Sequence, residues 1–508
     1  MTDNNLSSSI FVSRAWFFRI FMAVCFVAAL GIRLYDLTDL PLDFHPTRQL
    51  QSMIKARGMF FEQAAGVPEW QRQTAVRQWK AMPTEEPEIV ERLAVWAYQL
   101  TGSEYIWLPR LFSILFWLAG GVGLLFLARN LVGVDGSVIA TCFYLFLPYG
   151  VYASRAFMPD PLMLMFIIWG VWATNRWFNQ PSWKNAILAG ILCGMAILVK
   201  LTAIFMIAGA AAGLLFGNRK LKQVLGDLQV WVFGALSLLP AVIYNLLGIY
   251  VLGFISQGSV AQRILLNLLI DPLSYLRWDN KIEEVLGISA LLLALAGTFL
   301  LAKRASRSLV IGLWAGYVLF GVFFMYYFGT HNYYHLPLIP LVALGIAPLG
   351  QLIIQHMRVT WPGWPSNAVI VLLLVLAIFQ NLWVERATLR RTDYRPEAAF
   401  WQGLGDKLRG SSVLALTQDY NGRLAYWGWF DAVYFPTLGD FQHQEITGHA
   451  VDVLKYFNEV SANKDFFLVT LLDELDAQPE LKAALMEKYP IYSQDTGYII
   501  FDLRNPKK

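Results

Sequence analysis

Apolar residues along most of this chain do not alternate with polar ones; they run. Runs occur at about 15–35, 108–128, 136–153, 159–178, 185–199, 201–216, 228–250, 283–302, 309–328, 334–354 and 367–386. A hydrocarbon core takes roughly 20 apolar residues to cross as a helix. The pattern therefore predicts about eleven membrane-spanning helices. The fifth and sixth runs are short and nearly continuous, so the count lies between about ten and twelve. The apolar run at the N-terminus is longer than a signal-peptide core and lacks a clear small-residue cleavage site, which reads as a retained first helix.

Three stretches break the pattern, at about 36–107, 251–282 and 387–508. In the first, "TRQLQSMIKARGMFFEQA" and "EIVERLAVWAYQLTG" space their apolar residues at helical intervals. Both predict amphipathic helices lying at a membrane surface. In the last stretch, "SSVLALTQD", "FFLVTLL" and "GYIIFDL" predict short strands, and "DELDAQPELKAALMEKY" a helix between the last two. The expected fold is a mainly α, polytopic membrane protein with a small C-terminal α/β domain. The expected division is 1–390 for the membrane domain, with its outer loop at 36–107, and 391–508 for the α/β domain.

Composition agrees. Hydrophobic residues make up 56% of the 508 and charged residues 15%, against about 25% charged in a typical soluble domain. A net charge of +4 gives no reason to expect nucleic acid as a partner. The three cysteines, Cys25, Cys142 and Cys193, all fall in apolar runs, which argues against a disulfide framework and offers no metal-ligand spacing.

Charge placement sets sidedness. With the N-terminus in the cytoplasm, the cytoplasmic loops carry Arg129, Arg176, Lys184, "NRKLK" at 218–222, "KRASR" at 303–307 and Arg358. The short opposite loops at 153–158 and 329–333 carry only Arg155. This is the positive-inside bias, and it places the three long stretches outside the cell membrane.

That sidedness gathers a polar constellation on the outer face. "LDFHPTRQ" brings Asp43, His45 and Arg48; "TEEPEIVER" brings Glu85, Glu86 and Glu88; "SRAFMPDP" brings Arg155 and Asp160. "LVKLTA" brings Lys200, "DPLSYLRWDNK" brings Asp271, Arg277 and Asp279, and "GTHNYYHLP" brings His331, Tyr333, Tyr334 and His335. Ionisable groups at membrane depth are expensive and usually face a cavity. Each also has a plainer role. Asp160 before proline suits a helix cap, and Lys200 could snorkel to the interface. The glutamates suit a first helical turn, and the tyrosines an interfacial belt. Two histidines without a third ligand make a weak metal site. Their common compartment, not any one residue, carries the argument.

In this order the features resemble the GT-C membrane glycosyltransferases, in the branch of the protein O-mannosyltransferases and the aminoarabinose transferases of lipid A. The matching segments are "WLPRLFSILFWLAGGVGLLFLARNLVG", "YLFLPYGVYASRAFMPDPLMLMFIIWG", "GILCGMAILVKLTAIF" and "HNYYHLPLIPLVAL", within residues 15–390. The family usually has adjacent Asp-Glu in its first outer loop; here Asp43 is the only acid nearby. Its aminoarabinose branch has a Glu-Lys-Pro-Pro-like stretch; "EEPE" here lacks the lysine.

The resemblance implies a multi-pass enzyme of a bacterial inner membrane, with an extracytoplasmic C-terminal domain. It implies a polyprenyl-phosphate-linked sugar as donor and a lipid, glycan or protein as acceptor, with inversion at the sugar carbon. Asp43 and Asp160 are the implied catalytic acids, Asp43 as base. Arg48, Arg155, Lys200 and Arg277 are candidates for the phosphate, and His45, Glu86, His331, Tyr334 and His335 for the pocket lining. No cofactor is required, although acids and histidines leave room for a divalent metal. Two rival readings fit a many-span chain. A transporter or flippase would favour repeated halves with broken helices, which the sequence lacks. A non-catalytic scaffold would use the aromatic tail segment "YNGRLAYWGWFDAVYFP" as a binding surface, against its plainer role as packed core.

Overall fold

The computed structural model describes residues 10–11, 15–256, 263–449 and 451–507. The chain forms two compact units. One comprises residues up to Leu37, Pro83–Val90 and Pro109–Arg391. The other comprises Thr38–Met82, Glu91–Leu108 and Thr392 to the C-terminus. Much of the first long outer stretch thus folds with the tail.

The first unit is helical. Six helices are long and apolar enough to cross a membrane: Ala15–Leu34, Trp107–Leu131, the stretch Leu228–Val251, Arg304–Phe323, Leu338–Thr360 and Trp364–Leu389. The bent pair Pro272–Leu286 and Ile288–Phe299, at 89°, makes a seventh if counted as one span. Val134–Phe146, Trp183–Val199 and Ala203–Asn218 are apolar but shorter. Asp160–Asn179 adds a further 20-residue helix.

Local chemistry explains the breaks. The run expected at 136–153 stops at Phe146 and restarts at Pro148, because proline cannot donate its backbone hydrogen bond inside a helix. The run expected at 334–354 begins only at Leu338, after a 3₁₀ turn, Asn332–His335. Helices Ala203–Asn218 and Arg304–Phe323 meet backbone to backbone. A Cβ on Gly209 would overlap the Gly312 carbonyl, one on Gly312 the Gly209 carbonyl, and one on Gly213 the Ser308 carbonyl. Glycine is required here by approach, as in small-residue membrane interfaces. The cysteines are free and buried.

The second unit is built on a five-stranded mixed sheet in the order β2-β1-β3-β5-β4. The strands are β1 (Val413–Leu416), β2 (Val433–Tyr434), β3 (Phe466–Val469), β4 (Ile491–Asp495) and β5 (Tyr498–Asp502). β1 pairs parallel with β2 and β3; β5 pairs antiparallel with β3 and β4. The register sets Leu414 beside Phe467 and Phe467 beside Phe501. These side chains, with Phe457, Leu481 and Leu485 from helices, form the core. The expected strands in 411–419, 466–472 and 497–503 are β1, β3 and β5. The helix expected across 473–489 is two, Leu472–Asp476 and Pro479–Lys488, divided just before a proline.

The first-loop expectation needs correction. Helix Pro46–Gln63 is buried continuously from Ser52 to Phe61, which is a core helix and not one lying on a surface. Its polar residues are satisfied inside: Ser52 donates to Glu91 at 2.7 Å, and Arg57 donates from Nε to Glu104 at 2.8 Å. Helix Ile89–Thr101 does present an apolar face outward, with Trp96 and Leu100 exposed. A third helix, Glu69–Ala81, lies between them.

Candidate active site in the helical unit

Asp160 opens its helix, but it is not the cap. Pro159 holds the cap position, and the Asp160 carboxylate points instead to Lys200, accepting from Nζ at Oδ1 over 2.8 Å. Lys200 ends helix Trp183–Val199 in an extended conformation, just before Ala203–Asn218 begins. The break keeps its stem short of either helix and holds its ammonium among buried groups. Glu86 Oε1 lies 3.8 Å from the same ammonium. The ring centres of Tyr333 and Tyr334 lie 5.0 and 5.5 Å from it, within reach of a cation–π attraction. Asp160 Oδ2 is buried and has no hydrogen-bond partner among the described residues. An unsatisfied buried carboxylate oxygen is costly, so this one marks the place for closer reading.

Lys200 and Glu86 border a cavity of about 230 Å³. Glu85 and Arg263 border it too and form a two-oxygen ion pair. Burial works against the Arg263 charge, but Glu85 more than compensates and holds the guanidinium pKa above its ordinary value. The rest of the lining is mostly apolar, including Ile197, Ile204, Phe205, Phe323 and Phe324, with Tyr244, Asn245 and Tyr334 as neutral polar groups. The space is therefore amphiphilic: a charged pole and hydrocarbon walls. The charged lining groups balance, two cations against two carboxylates. Asp160, behind Lys200, leaves the cluster one negative charge in excess. An anion entering here must displace a carboxylate, and Glu86, the looser of the two at Lys200, is the one to yield.

The other expected residues are distributed as follows. Arg155 is buried; its Nη2 donates to the Asp36 carbonyl at 3.0 Å. Arg277 is exposed on helix Pro272–Leu286 and does not line the cavity. His335 is fully buried, with Nδ1 2.6 Å from the Tyr317 hydroxyl and Nε2 2.9 Å from the Phe328 carbonyl. Both ring nitrogens are thus engaged by the helix core. His331 Nδ1 lies 2.7 Å from the Thr330 hydroxyl. No group of three or more His, Cys, Asp or Glu side chains among the described residues has metal-binding geometry.

Asp43, His45 and Arg48 belong to the second unit. Asp43 sits in a bend that Gln49 shapes, donating from Nε2 to the carbonyls of Pro41 and Phe44 at 3.2 and 2.5 Å. His45 takes the cap position of helix Pro46–Gln63 with φ 42°, a left-handed conformation that is strained for a residue with a Cβ. Arg48 donates to Gln51 at 3.0 Å, and Thr47 to Asp419 at 2.9 Å. Arg263, Tyr244 and Asn245 were not among the expected site residues. Arg263 had a visible signal, as the only cation between Val251 and Leu276.

Comparison with known proteins places this architecture. Residues 87–247 match the dolichyl-phosphate-mannose-protein mannosyltransferase family. ArnT from Cupriavidus metallidurans, solved with bound undecaprenyl phosphate, superposes with a TM-score of 0.58 at 15% identity, over 96% of this chain and 98% of that one. Archaeal oligosaccharyltransferase AglB from Archaeoglobus fulgidus, solved with an inhibitory peptide and a dolichol-phosphate, gives 0.60 at 12% identity, over 97% of this chain and 74% of that one. No curated protein sequence matches significantly. At these identities the structural likeness speaks for the fold. Together they give the chain the fold of ArnT and AglB and, over residues 87–247, a likeness to the dolichyl-phosphate-mannose-protein mannosyltransferases.

Proposed function

We propose that the chain transfers a sugar from a polyprenyl-phosphate donor to an acceptor hydroxyl at the outer face of a bacterial inner membrane. The observation that carries this reading is the amphiphilic cavity, whose apolar walls suit a lipid chain and whose charged pole suits its phosphate. The relatives solved with undecaprenyl phosphate and dolichol-phosphate support the same ligand class. In this reading the eleven apolar segments span, the N-terminus is cytoplasmic, and the tail is extracytoplasmic, as the positive-inside bias argues.

Lys200 and Arg263 hold the phosphate as point-charge and planar partners. Asp160 keeps Lys200 aimed. Glu86 gives up its place at Lys200 when the phosphate arrives. The bond between the anomeric carbon and the phosphate oxygen breaks as the acceptor oxygen bonds to that carbon from the opposite side. The lipid phosphate departs with the bond's electron pair, and the acceptor's proton passes to a carboxylate base. Asp43 is assigned that role on the family resemblance. The apolar walls exclude water that would otherwise hydrolyse the donor.

The test uses Asp43→Asn and Asp160→Asn in purified, correctly inserted protein. Each should lower transfer from a polyprenyl-phosphate sugar by about 10²-fold or more. Near-normal transfer by both would overturn the assignment of the acids. Failure of wild-type protein to make any covalent glycosyl product, with lipid movement instead, would favour the transporter reading.

A further inference from the structure

Helix Asp160–Asn179 has 20 residues, so its far end lies about 30 Å from Asp160. A second cavity, of about 300 Å³, opens there. Its lining includes Asn130, Asn175, Arg176, Asn179, Lys303 and Ser306, and no carboxylate. Asn130 and Gln180 line it with amides that can donate or accept, Asn179 spends its amide N–H on Asn175, and the charged groups, Arg176 and Lys303, are donors only. Asn175 is buried, and its Oδ1 already accepts from Asn179 at 3.2 Å, so its amide N–H is what remains to give. Ser306 is 3% exposed, and its hydroxyl makes no hydrogen bond among the described residues. It stands in the first turn of the 20-residue helix Arg304–Phe323, whose cap residue, Lys303, supplies no side-chain cap. The first-turn N–H groups therefore lack the partner a cap would give.

A positive helix end, an ammonium, a guanidinium, a hydroxyl and an amide N–H, with no acid among them, are complementary to a tetrahedral oxyanion. We propose that this cavity binds the phosphate group of an anionic ligand, at a site separate from the one that holds the donor. The chemistry is that of a phosphate ester, supplied by the headgroup of an anionic membrane lipid or by a soluble phosphate. The inference is independent of the proposed sugar transfer, because none of its residues lines the first cavity.

Native mass spectrometry of the full chain, released from equimolar phosphatidylglycerol and phosphatidylcholine, tests it. Wild-type protein should retain phosphatidylglycerol preferentially, by about tenfold. Lys303→Gln and Ser306→Ala, each a mild change, should lower that preference severalfold and together abolish it. Lys184→Gln removes a neighbouring charge outside the cavity and should leave it intact. A second arm titrates inorganic phosphate. Displacement of the lipid by phosphate in wild type, and not in the double variant, supports the site with a free phosphate as sufficient ligand. Lipid preference that phosphate does not disturb supports it with the headgroup as ligand. Equal retention of the two lipids with no phosphate effect, or a Lys184→Gln loss equal to that of Lys303→Gln, overturns the proposal.

Discussion

Each unit buries a cation against aromatic rings, and the two are not alike. Arg57, in the second unit, is closely held. Its Nε donates to Glu104, its Nη1 to the Tyr426 carbonyl, and its plane lies 3.5 Å from the centre of the Tyr426 ring and 4.3 Å from that of Trp429. Burial opposes its charge, yet Glu104 and Tyr426 together raise its pKa above the usual value. Lys200, in the helical unit, has one close carboxylate, a second at 3.8 Å, and a cavity beside it. A buried charge by itself therefore says little about chemistry. What distinguishes a working cation is a loosely held partner next to space that a ligand can fill.

The largest test of that contrast is to remove both charges while keeping the apolar stems. Lys200→Met should cut sugar transfer per folded molecule by about 10²–10³-fold, in addition to the stability it loses by stranding Asp160. Arg57→Met should also cost about 3 kcal/mol of stability, because it strands Glu104, but transfer per folded molecule should survive. Equal loss of turnover per folded molecule in the two variants would break the comparison.

A smaller effect is expected at Asp419. It accepts from Thr47 at 2.9 Å and from Arg423 at 2.6 Å, and so ties the start of helix Pro46–Gln63 to the end of β1. Asp419→Asn should cost about 1.5 kcal/mol, read as faster proteolysis near residues 45–48. Unchanged cleavage there would mean that the bend around Asp43 is held by Gln49 alone.

The smallest effect is one of pH. Hydrogen bonds from Arg504 lower the Asp502 carboxyl from 3.8 to about 2. The folded pKa lies below the unfolded one, so its stabilisation is fully present above about pH 4 and is lost as pH falls through about 2. Asp502→Asn should flatten this part of the acid limb of an unfolding curve, and an unchanged limb would assign acid loss to other carboxylates.

What could be read from sequence follows from what each element buries. β1, β3 and β5 are covered on both faces, so each is a continuous apolar run. β2 and β4 are the sheet's edges and largely exposed, which is why they carry no such run. Helix Glu69–Ala81 is polar almost throughout, with only Thr74, Ala75 and Gln78 buried, and periodicity had little to detect. In the site, Asp160 and Lys200 stood out as charges set among apolar neighbours. The pairing of Arg263 with Glu85 did not, because the partners are 178 positions apart and only tertiary folding brings them together. The reverse error befell Pro46–Gln63, whose buried Gln49, Lys55 and Arg57 look like surface residues until the fold encloses them.

The glycine contacts between Ala203–Asn218 and Arg304–Phe323 also decide how the cavity beside Lys200 can change width. Phe205, Phe323 and Phe324 line it from that pair, where main chains touch and no side chain is left to compress. Tyr244 and Asn245 line it from a helix that contains Pro240 and unwinds into a π-turn at Leu247–Val251, and Ile255 from the chain just beyond. One wall is a fixed post and the other a leaf. Hydrogen exchange should be faster across 244–251 than across 206–216, and a long lipid tail would then slip in and out past Tyr244, with the glycine-locked side serving only as its backstop.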